Sequence, residues 1–447
     1  MPDGSIYDPL VDKHPGSGSP YPSSYWAREH QVAPVEPLKT VRKTQVAVIG
    51  AGYTGLSCAY HLASRWDIEP VVLEANRIGW GCSGRNAGFV LSGTGRLGLG
   101  DYQHRWGKDT AKLVYSEFRQ GVDNIRYLAE QGPVDCQLQD GGYLKLAHSA
   151  SMARKMARVT DNMRREFGDT SRWLTQQQAR SHILSPGVYG ATLTPYSFGI
   201  NPLRMAENLA AMAKNAGANI YTGSPVTDWQ RSDQGYRLFT PQGEVQASKV
   251  VIASNGYTLN RFHPALDGRH FPVLSSVLVT QPLSQQQQQA CGLTPGPLFM
   301  DSRQLKYYYR LLPDGRLLFG GRGAITGKAA NHPRYQNHLK RALAAWLPAT
   351  RDIGVEHFWS GWVSVALDNY PRVGPLEDNL YAAMGYCGAG VSFATLAGQR
   401  LAETIAQGPN SLPDLPFYQT PLPKFPLPRL RRLGLKAFYH WAQWRDG

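Results

Sequence analysis

A glycine turn between an apolar strand and a helix constrains the fold of this chain more than any other feature. In residues 44–66, TQVAVIGAGYTGLSCAYHLASRW, the apolar run at 46–49 predicts a buried strand, and the residues after it predict an amphipathic helix. Between them, Gly50, Gly52 and Gly55 fit the pattern G-x-G-x-x-G, with Tyr53 and Thr54 inside the turn. Such glycines allow a tight turn, close approach of backbone to a pyrophosphate, and close helix–strand packing. The segment predicts a dinucleotide site at a helix N-terminus, with a purely structural turn as the alternative.

The residues after this helix distinguish between the two common dinucleotides. The strand EPVVLEA ends at Glu74 and Ala75, where a carboxylate can bind ribose hydroxyl groups. A nicotinamide domain would continue with regular β–α units, but this chain enters a glycine-rich loop, GCSGRNAG, at 81–88. The loop carries four other residues of interest: Ser83, Arg85, Asn86 and Ala87. These residues suit a phosphate and the edge of a flavin, which favours FAD; the alternative is a flexible loop.

A second glycine turn lies near the end of the main body, in GYCGAGVSFATLAG at 385–398. Like the first turn, it follows a predicted strand and begins a helix, and small residues fill it. Its glycines include Gly385, Gly388 and Gly390, and Val391 follows the last of these.

The pattern of strands changes along the chain, which predicts an α/β protein (α+β overall) built from two units. The beginning alternates strand and helix, whereas residues 272–355 are mainly strands, typical of an antiparallel sheet. We expect a Rossmann-like FAD-binding domain from the separate segments 42–98, 196–262 and 358–410. The substrate domain is expected to comprise 99–195 and 263–357. An irregular arm (1–41) precedes these units, and a basic tail with a helix (411–447) follows them.

Composition narrows the class of protein further. The chain has 447 residues and a formal net charge of +14, which favours acidic partners. No apolar run is long enough for a membrane-spanning helix, and the N-terminus lacks the pattern of a secretory signal. The five cysteines have no metal-binding spacing, so we expect reduced thiols, no metal site and a cytoplasmic location.

The strand QLKYYYRLL contains the candidate catalytic residues. Strand alternation places Lys306, Tyr308 and Arg310 on one face, which we expect to look toward the flavin. The lysine could promote oxygen reduction, the tyrosine could wall the pocket, and the arginine could bind a carboxylate. The alternative is a solvated basic face.

Several segments together resemble the D-amino-acid oxidase superfamily of flavoenzymes, with the γ-glutamylputrescine oxidase branch as the nearest match. They are VAVIGAGYTGLSCAYHLA, VLEANRIGWGCSGRNAG, GGYLKLA, YYYRLLPDGRLLFGG and NLYAAMGYCGAGVSFATLAGQRLAETI, with an SYW element at 24–26. The resemblance implies an FAD domain assembled from separated pieces, with the substrate domain between them.

The resemblance also implies residue roles. The glycines of the first turn would hold the pyrophosphate, Glu74 the adenosine ribose, and the backbone of Val226 the adenine. The loop at 81–88 would line the pyrophosphate and isoalloxazine, and the four residues named from the second glycine turn would close over the flavin. The implied chemistry is hydride transfer from an amine-bearing carbon to flavin N5, followed by imine hydrolysis and reoxidation by oxygen or another acceptor. No cysteine lies where sarcosine oxidases attach flavin, so we expect non-covalent FAD.

Four positions depart from the pattern of the branch: Phe89, Asn201, Cys387 and Ala389. Relatives commonly have an amide, a histidine, a serine and a histidine there, respectively. We expect these changes to remove polar groups near the flavin and substrate, and hence to alter the substrate or the activity.

The C-terminal tail leaves a second functional alternative open. After Pro428, an apolar stripe at helical spacing is formed by Leu430, Leu433, Ala437, Trp441 and Trp444. Basic side chains are interspersed with this stripe. We expect this helix to pack on its own domain; a helix lying on a membrane surface is the alternative. The leading function is therefore an amine or amino-acid oxidase. A membrane-peripheral dehydrogenase passing electrons to quinone, or a flavin-binding protein without that activity, are alternatives, and no nucleic-acid partner is expected.

Overall fold

A computed structural model describes residues 5–446 of the chain as helices on two large sheets, with a small third sheet. The helices are α1 (Tyr25–Glu29), α2 (Tyr53–Trp66), α3 (Leu99–Gln131), α4 (Ala150–Phe167), α5 (Gln176–Ala179), α6 (Pro202–Asn215), α7 (Gln285–Cys291), α8 (Pro333–Trp346), α9 (Gly390–Gln407), α10 (Pro416–Gln419) and α11 (Arg431–Asp446). The strands are β1 (Val41–Ile49), β2 (Val71–Leu73), β3 (Phe89–Val90), β4 (Gln139–Asp140), β5 (Tyr143–Leu146), β6 (Arg172–Thr175), β7 (Gly190–Thr194), β8 (Phe198–Gly199), β9 (Asn219–Tyr221), β10 (Asp228–Ser232), β11 (Gly235–Phe239), β12 (Glu244–Ile252), β13 (Phe271–Pro282), β14 (Leu298–Asp301), β15 (Tyr308–Leu311), β16 (Arg316–Arg322), β17 (Val355–Val365), β18 (Arg372–Glu377) and β19 (Leu380–Met384).

The first sheet has a parallel centre, as expected of a Rossmann-like unit. Its order is β10-β11-β12-β1-β2-β9, and β19 pairs with the end of β12 and with β18. The pairs β12–β1, β1–β2, β2–β9 and β12–β19 are parallel. The inner half of β1 is buried, which agrees with its apolar run. This sheet brings together three distant parts of the chain, so the discontinuous Rossmann-like unit predicted from sequence is confirmed.

The second sheet is mainly antiparallel, also as predicted. Its order is β17-β13-β16-β15-β14-β5-β7-β6, and among these neighbours β14–β5 is the parallel pair. The helix α8 packs against β13 and β16 and contributes Leu339, Leu343 and Trp346 to the buried core of this unit.

Two elements pack across the expected boundary between the two units. The expected boundary at residue 358 falls inside β17, which pairs along its length with β13 of the second sheet. The helix α3, expected in the substrate domain, packs against α9. Its Phe118 stacks on Phe393 of α9, with ring centroids 4.6 Å apart. Both elements pack across the two units because their apolar faces find partners that are distant in sequence.

The N-terminal arm is irregular, as expected, but it packs against both sheets. Tyr7 donates its hydroxyl to the Tyr257 carbonyl and accepts the indole N–H of Trp362 at its own carbonyl. Farther along the arm, the carbonyl of Gly16 accepts from the Asn76 side chain. The arm therefore ties the glycine-turn region to β17.

The C-terminal helix α11 packs on the protein, as predicted, but not through the expected stripe. Arg432 donates to Asp8 of the arm, Arg96 lies 5.4 Å from the Phe438 ring centroid, and Ala442 is buried. The stripe faces outward: Leu433 is 63% exposed and Trp444 is 82% exposed. Within residues 5–446, no helix is both long and apolar enough to cross a bilayer.

Candidate functional site

One large cavity lies where the two sheets meet, and both glycine turns line it. Its volume is about 1390 Å³, above the range of about 300–1000 Å³ that is usual for small-molecule pockets. At one extremity, the Glu74 end, it is lined by Glu74, Asn76 and Val226. At the other, the sheet end, it is lined by Lys145, Lys306 and Arg322 on or beside strands of the second sheet. The volume and the two ends suit a dinucleotide together with a small substrate.

The first turn is shaped by its glycines. Gly50 has φ of +110°, in the region that favours glycine. A Cβ on Gly52 would lie 2.9 Å from Ser83 Oγ, and one on Gly55 would lie 2.0 Å from the carbonyl oxygen of Gly50. Side chains at these positions would push the helix away from the turn. The N-terminus of α2 thus stays open beside the cavity, where Tyr53 and Thr54 also line the wall.

The carboxylate of Glu74 is held in place by backbone groups. Its two oxygens accept the N–H of Ala51 at 2.7 Å and the N–H of Asn76 at 2.9 Å. Burial raises the pKa of this carboxyl, while the two backbone donors oppose that rise. Ala75 and Val226 line the same end of the cavity. The arrangement fixes an acceptor next to the first glycine turn.

The loop at 81–88 carries a buried cation in the middle of the cavity wall. Arg85 donates Nε to the Trp80 carbonyl and Nη1 to the Ser360 carbonyl, and it lies 4.4 Å from the Trp80 ring centroid. It forms no ion pair with any carboxylate of residues 5–446. A buried guanidinium without a counter-ion is suited to an anionic ligand.

The other residues of this loop stabilise its shape. Ser83 Oγ accepts the N–H of Tyr53, and Asn86 Nδ2 donates to the Ser83 carbonyl at 2.9 Å. Asn86 Oδ1 accepts the N–H of Gly88 at 2.7 Å. Ser83, Asn86 and Ala87 all line the cavity. The loop therefore presents a fixed surface to a ligand, and it is not merely a flexible connection.

The second glycine turn lines the cavity beside the first turn. Gly385 and Gly388 have φ of +75° and +101°, and Cys387 between them has φ of +52°. A Cβ added to Gly388 would have no protein atom within 4 Å, so this position borders open space. Gly388, Gly390 and Val391 line the cavity, whereas Gly385 does not and supports the turn from behind. There the N–H of Gly385 donates to Asn255 Oδ1 at 3.1 Å.

The two turns are joined through their helices. Thr54 and Tyr386 share a hydrogen bond of 2.6 Å between their hydroxyl groups. Ser57 Oγ donates to the Thr395 carbonyl, and a Cβ on Gly398 would lie 2.4 Å from the Thr54 carbonyl oxygen. The helices α2 and α9 therefore pack with close backbone contact, and both begin beside the cavity.

Of the three candidate catalytic residues, the structure brings two together in the cavity wall. Tyr308 lines the cavity, and its hydroxyl shares a 2.8 Å hydrogen bond with Ser275. Lys306 also lines it, but from the turn that precedes β15. Desolvation within the cavity and neighbouring cations lower the pKa of Lys306 to about 8.

Arg310 does not line the cavity, because backbone from neighbouring elements covers its guanidinium. It donates to the Ile200 carbonyl at 2.6 Å and to Gln139 Oε1 at 3.0 Å, and it lies over the Trp26 ring. Strand alternation does put it on the same face as Tyr308, yet Gly199 packs directly against it. Its position suits the support of the loops near Gly88, and the structure offers no route from it to a substrate carboxylate.

Three of the four departures from the branch pattern line the cavity: Phe89, Cys387 and Ala389. Phe89 packs edge-on against Tyr308, and the thiol of Cys387 donates to the Gly385 carbonyl. Asn201 is different, because it caps α6. Its Oδ1 accepts the N–H groups of Leu203 and Arg204. Asn201 does not line the cavity, so the prediction that it lies near the flavin and substrate was wrong.

The sequence interpretation missed several cavity residues. Arg96, Lys145 and Arg322 line the sheet end, and they come from three distant segments. Trp26 and Trp359 hold the loop from behind, through indole N–H bonds to the carbonyls of Asn86 and Arg85. No local pattern marks Arg96, Lys145 and Arg322, because only the tertiary fold brings them together, whereas Trp26 belongs to the SYW element identified at 24–26.

Comparisons with known proteins agree with this geometry. Residues 45–404 match the DAO family, described as FAD dependent oxidoreductase. The chain is 31% identical over 404 residues to gamma-glutamylputrescine oxidoreductase of Escherichia coli (strain K12), covering 89% of this chain and 93% of that protein. It is 30% identical over 429 residues to the probable oxidoreductase OrdL of Rhizobium meliloti (strain 1021), covering 94% and 95%, respectively.

Solved structures share the fold. Glycine oxidase from Geobacillus kaustophilus matches with a TM-score of 0.70 and 21% identity, over 86% of this chain and 99% of that one. L-Proline dehydrogenase from P. horikoshii matches with a TM-score of 0.71 and 20% identity, over 88% and 99%. From the glycine turns, the shared cavity and these similarities, the chain belongs to the DAO family of FAD-dependent oxidoreductases.

Proposed function

We propose that this protein oxidises a small amine or amino acid at the carbon that bears the nitrogen. The resulting imine hydrolyses to an aldehyde or ketone, and oxygen reoxidises the flavin with release of hydrogen peroxide. The observation that carries the proposal is the single cavity in which both glycine turns and the strands of the second sheet form opposite walls. We place this activity in the cytoplasm, as the cysteine usage suggests.

The cavity residues fit FAD, and we propose the following contacts. The pyrophosphate binds at the turn containing Gly50, Gly52 and Gly55, where side chains are excluded and the uncompensated charge of Arg85 is available. The fixed carboxylate of Glu74 binds the adenosine ribose, and Val226 lies beside the adenine. FAD is held without a covalent bond, so acid precipitation of the protein releases the flavin.

The second turn is proposed to hold the flavin ring. Gly388, Gly390 and Val391 border open space in front of the N-terminus of α9. A helix N-terminus carries partial positive charge, which favours a negatively charged group in front of it. We therefore assign Gly388 and Gly390 to the electron-rich edge of the ring and Gly385 to support of the turn.

The sheet end is proposed to bind the substrate. When bound, FAD supplies the acceptor for the hydride that leaves the substrate carbon. Positive charge from Lys306 and Arg322 disfavours the ammonium form of a nearby amine, which keeps the reacting nitrogen neutral with its lone pair available. Tyr308 and Phe89 wall the apolar side of the space and limit access of water.

Relatives support amine chemistry but differ in their electron acceptors. The names of the structural neighbours include both an oxidase that acts on glycine and a dehydrogenase that acts on L-proline. Reoxidation of the reduced flavin by air or by quinone distinguishes the two acceptors.

The test is an anaerobic screen of primary and secondary amines, polyamine conjugates, imino acids and D-amino acids, with the flavin band as the signal. We expect at least one class to bleach the band, and admission of air then to restore it with one hydrogen peroxide per turnover. If no compound bleaches the flavin, the amine-oxidation proposal is wrong. If bleaching occurs but air restores the band slowly and quinone does so quickly, the oxidase assignment is wrong.

The outward stripe of α11 favours a second candidate, a membrane-peripheral dehydrogenase that passes electrons to quinone. Leu433 and Trp444 are largely exposed, and Lys436 and Arg445 lie on the same helix. Apolar side chains with basic neighbours suit an anionic bilayer surface. Sedimentation with anionic vesicles, but not with neutral ones, would support this candidate, and loss of binding in Trp444→Ser would assign it to the stripe.

A further inference from the structure

Four basic side chains converge at the sheet end of the cavity. Arg96 comes from the loop after β3, Lys145 from β5, Lys306 from the turn before β15 and Arg322 from the end of β16. Lys306 lies near the other three cations, and desolvation together with their charges lowers its pKa. We refer to these four residues as the basic cluster.

No carboxylate balances the basic cluster. Within residues 5–446, none of its four members forms an ion pair. The charge of Asp301 does act on Lys306, but Asp301 accepts Arg303 Nη1 at 2.6 Å and also the N–H of Tyr307 at 3.1 Å. The charge of Asp301 is therefore paired with Arg303 in the same turn. The basic cluster keeps a net positive charge.

The acids that do line the cavity are also engaged elsewhere. Glu74 is held by backbone N–H groups at the far end, and Asp101 accepts the N–H of Gly98. Glu166 pairs with Lys108, and Asp169 accepts hydroxyl groups from two tyrosines. Within residues 5–446, none of these four carboxylates forms an ion pair with a member of the basic cluster.

The basic cluster is built from fixed elements, so its charges cannot easily move apart. Lys145 and Arg322 lie on strands of the second sheet, and Arg96 lies over the Phe438 ring of α11. The Cβ position at Gly95, next to Arg96, is 3.2 Å from the carbonyl oxygens of both Tyr386 and Cys387. The second glycine turn thus fixes the backbone next to Arg96. The four positive charges are kept close together in a partly enclosed space, and their repulsion has an energetic cost.

An anionic ligand would offset this repulsion. A single carboxylate can engage one arginine fork or two lysine-type donors, so four cations exceed the requirement of one carboxylate. We propose that the sheet end recognises an amine substrate that carries two anionic groups, such as an amino dicarboxylic acid or its N-substituted derivative. This inference rests on the proposed function, because it specifies the substrate class of the same site.

The test measures binding of non-oxidisable acids to the FAD-loaded protein, so it does not depend on turnover. Isothermal titration compares glutarate, which has two carboxylates, with butanoate, which has one, and with putrescine, which is a dication. We expect glutarate to bind at least tenfold more tightly than butanoate and putrescine not to bind.

Variants locate the preference in the basic cluster. Lys145→Gln and Arg322→Gln should each weaken glutarate binding about tenfold and reduce its advantage over butanoate, whereas Lys43→Gln, at an exposed position of β1, should leave both unchanged. Equal binding of the two acids, or preferential binding of putrescine, would overturn the proposal.

A different role for the basic cluster would give a different result. If these cations serve only the flavin, Arg322→Gln shifts the flavin reduction potential while the glutarate-to-butanoate ratio stays at the wild-type value, and the proposal is wrong. Failure of amine oxidation itself is seen separately, as an unbleached flavin in the anaerobic screen.

Discussion

Replacement of Gly398 by alanine tests whether close packing of α2 and α9 assembles the cofactor site. The new Cβ would lie 2.4 Å from the Thr54 carbonyl oxygen and 2.8 Å from both the Cys58 nitrogen and Ser57 Cβ. The first contact is a full ångström shorter than the 3.4 Å at which ordinary van der Waals contact begins. Two of the three contacted atoms are backbone, so no rotamer change relieves the overlap and α9 must move away from α2.

The expected loss of stability follows from two opposing effects. Overpacking costs about 1–3 kcal/mol, and this backbone overlap belongs at the upper end of that range. Alanine in place of a helical glycine stabilises by up to about 1 kcal/mol, so Gly398→Ala should lose about 2 kcal/mol. Gly434→Ala in α11 is the matched control, because a Cβ there meets nothing within 4 Å. It should be neutral or slightly stabilising.

The assay is urea unfolding of the FAD-loaded protein together with FAD titration of the apoprotein. Since α9 begins at the second glycine turn, its displacement should also weaken FAD binding in Gly398→Ala but not in Gly434→Ala. If both variants unfold at the same urea concentration and bind FAD equally, the close packing of the two helices does not assemble the site.

Three further predictions concern polar and charged side chains. Glu117 accepts two hydrogen bonds from Arg400, of 2.7 and 3.1 Å, between α3 and α9; Glu117→Ala should cost about 3 kcal/mol in urea unfolding. The same change at Glu244, whose arginine partner is 45% exposed, should lower the free energy of unfolding by less than about 1 kcal/mol. Equal losses in the two variants would show that burial does not make the Glu117–Arg400 pair more important. His61 is buried with neither ring nitrogen hydrogen-bonded, so His61→Leu should raise the free energy of unfolding by about 1 kcal/mol, and a decrease would contradict this. The pKa of Lys306 is lowered from 10.5 to about 8, so the dissociation constant for glutarate should rise between pH 7 and 9, and Lys306→Gln should remove that rise. The lowered pKa of Lys306 also destabilises the folded protein below about pH 8, and this effect ceases as the pH approaches 10.5. If Lys306→Gln leaves the dependence of unfolding free energy on pH unchanged, the pKa of Lys306 is not lowered in the folded protein.

The parts of the fold that could be predicted from sequence depend on local rules. The first glycine turn is recognisable because Gly50 needs a positive φ and Gly55 allows no Cβ, whatever the rest of the chain does. The parallel and antiparallel character of the two sheets follows from apolar periodicity and from the length of the connections. These features therefore appear in the structure as predicted.

The parts that could not be predicted depend on contacts between distant segments. Arg310 alternates correctly with Tyr308, but its burial is decided by Gly199 and Trp26, which no strand pattern reveals. The basic cluster likewise joins four separate segments. On α11, helical spacing identified an apolar stripe, but the residues that dock are those that meet Asp8 and Arg96.

The most direct test that the second glycine turn contacts FAD is to compare FAD affinity between Gly388→Ala and Gly408→Ala. Gly388 and Gly408 have similar φ, +101° and +91°, and a Cβ at either meets no protein atom within 4 Å. Both substitutions should therefore cost similar stability, about 1–3 kcal/mol of backbone strain. Only Gly388 borders the cavity. We predict at least tenfold weaker FAD binding in Gly388→Ala and unchanged binding in Gly408→Ala; equal FAD affinity in the two variants would show that the second glycine turn does not contact FAD.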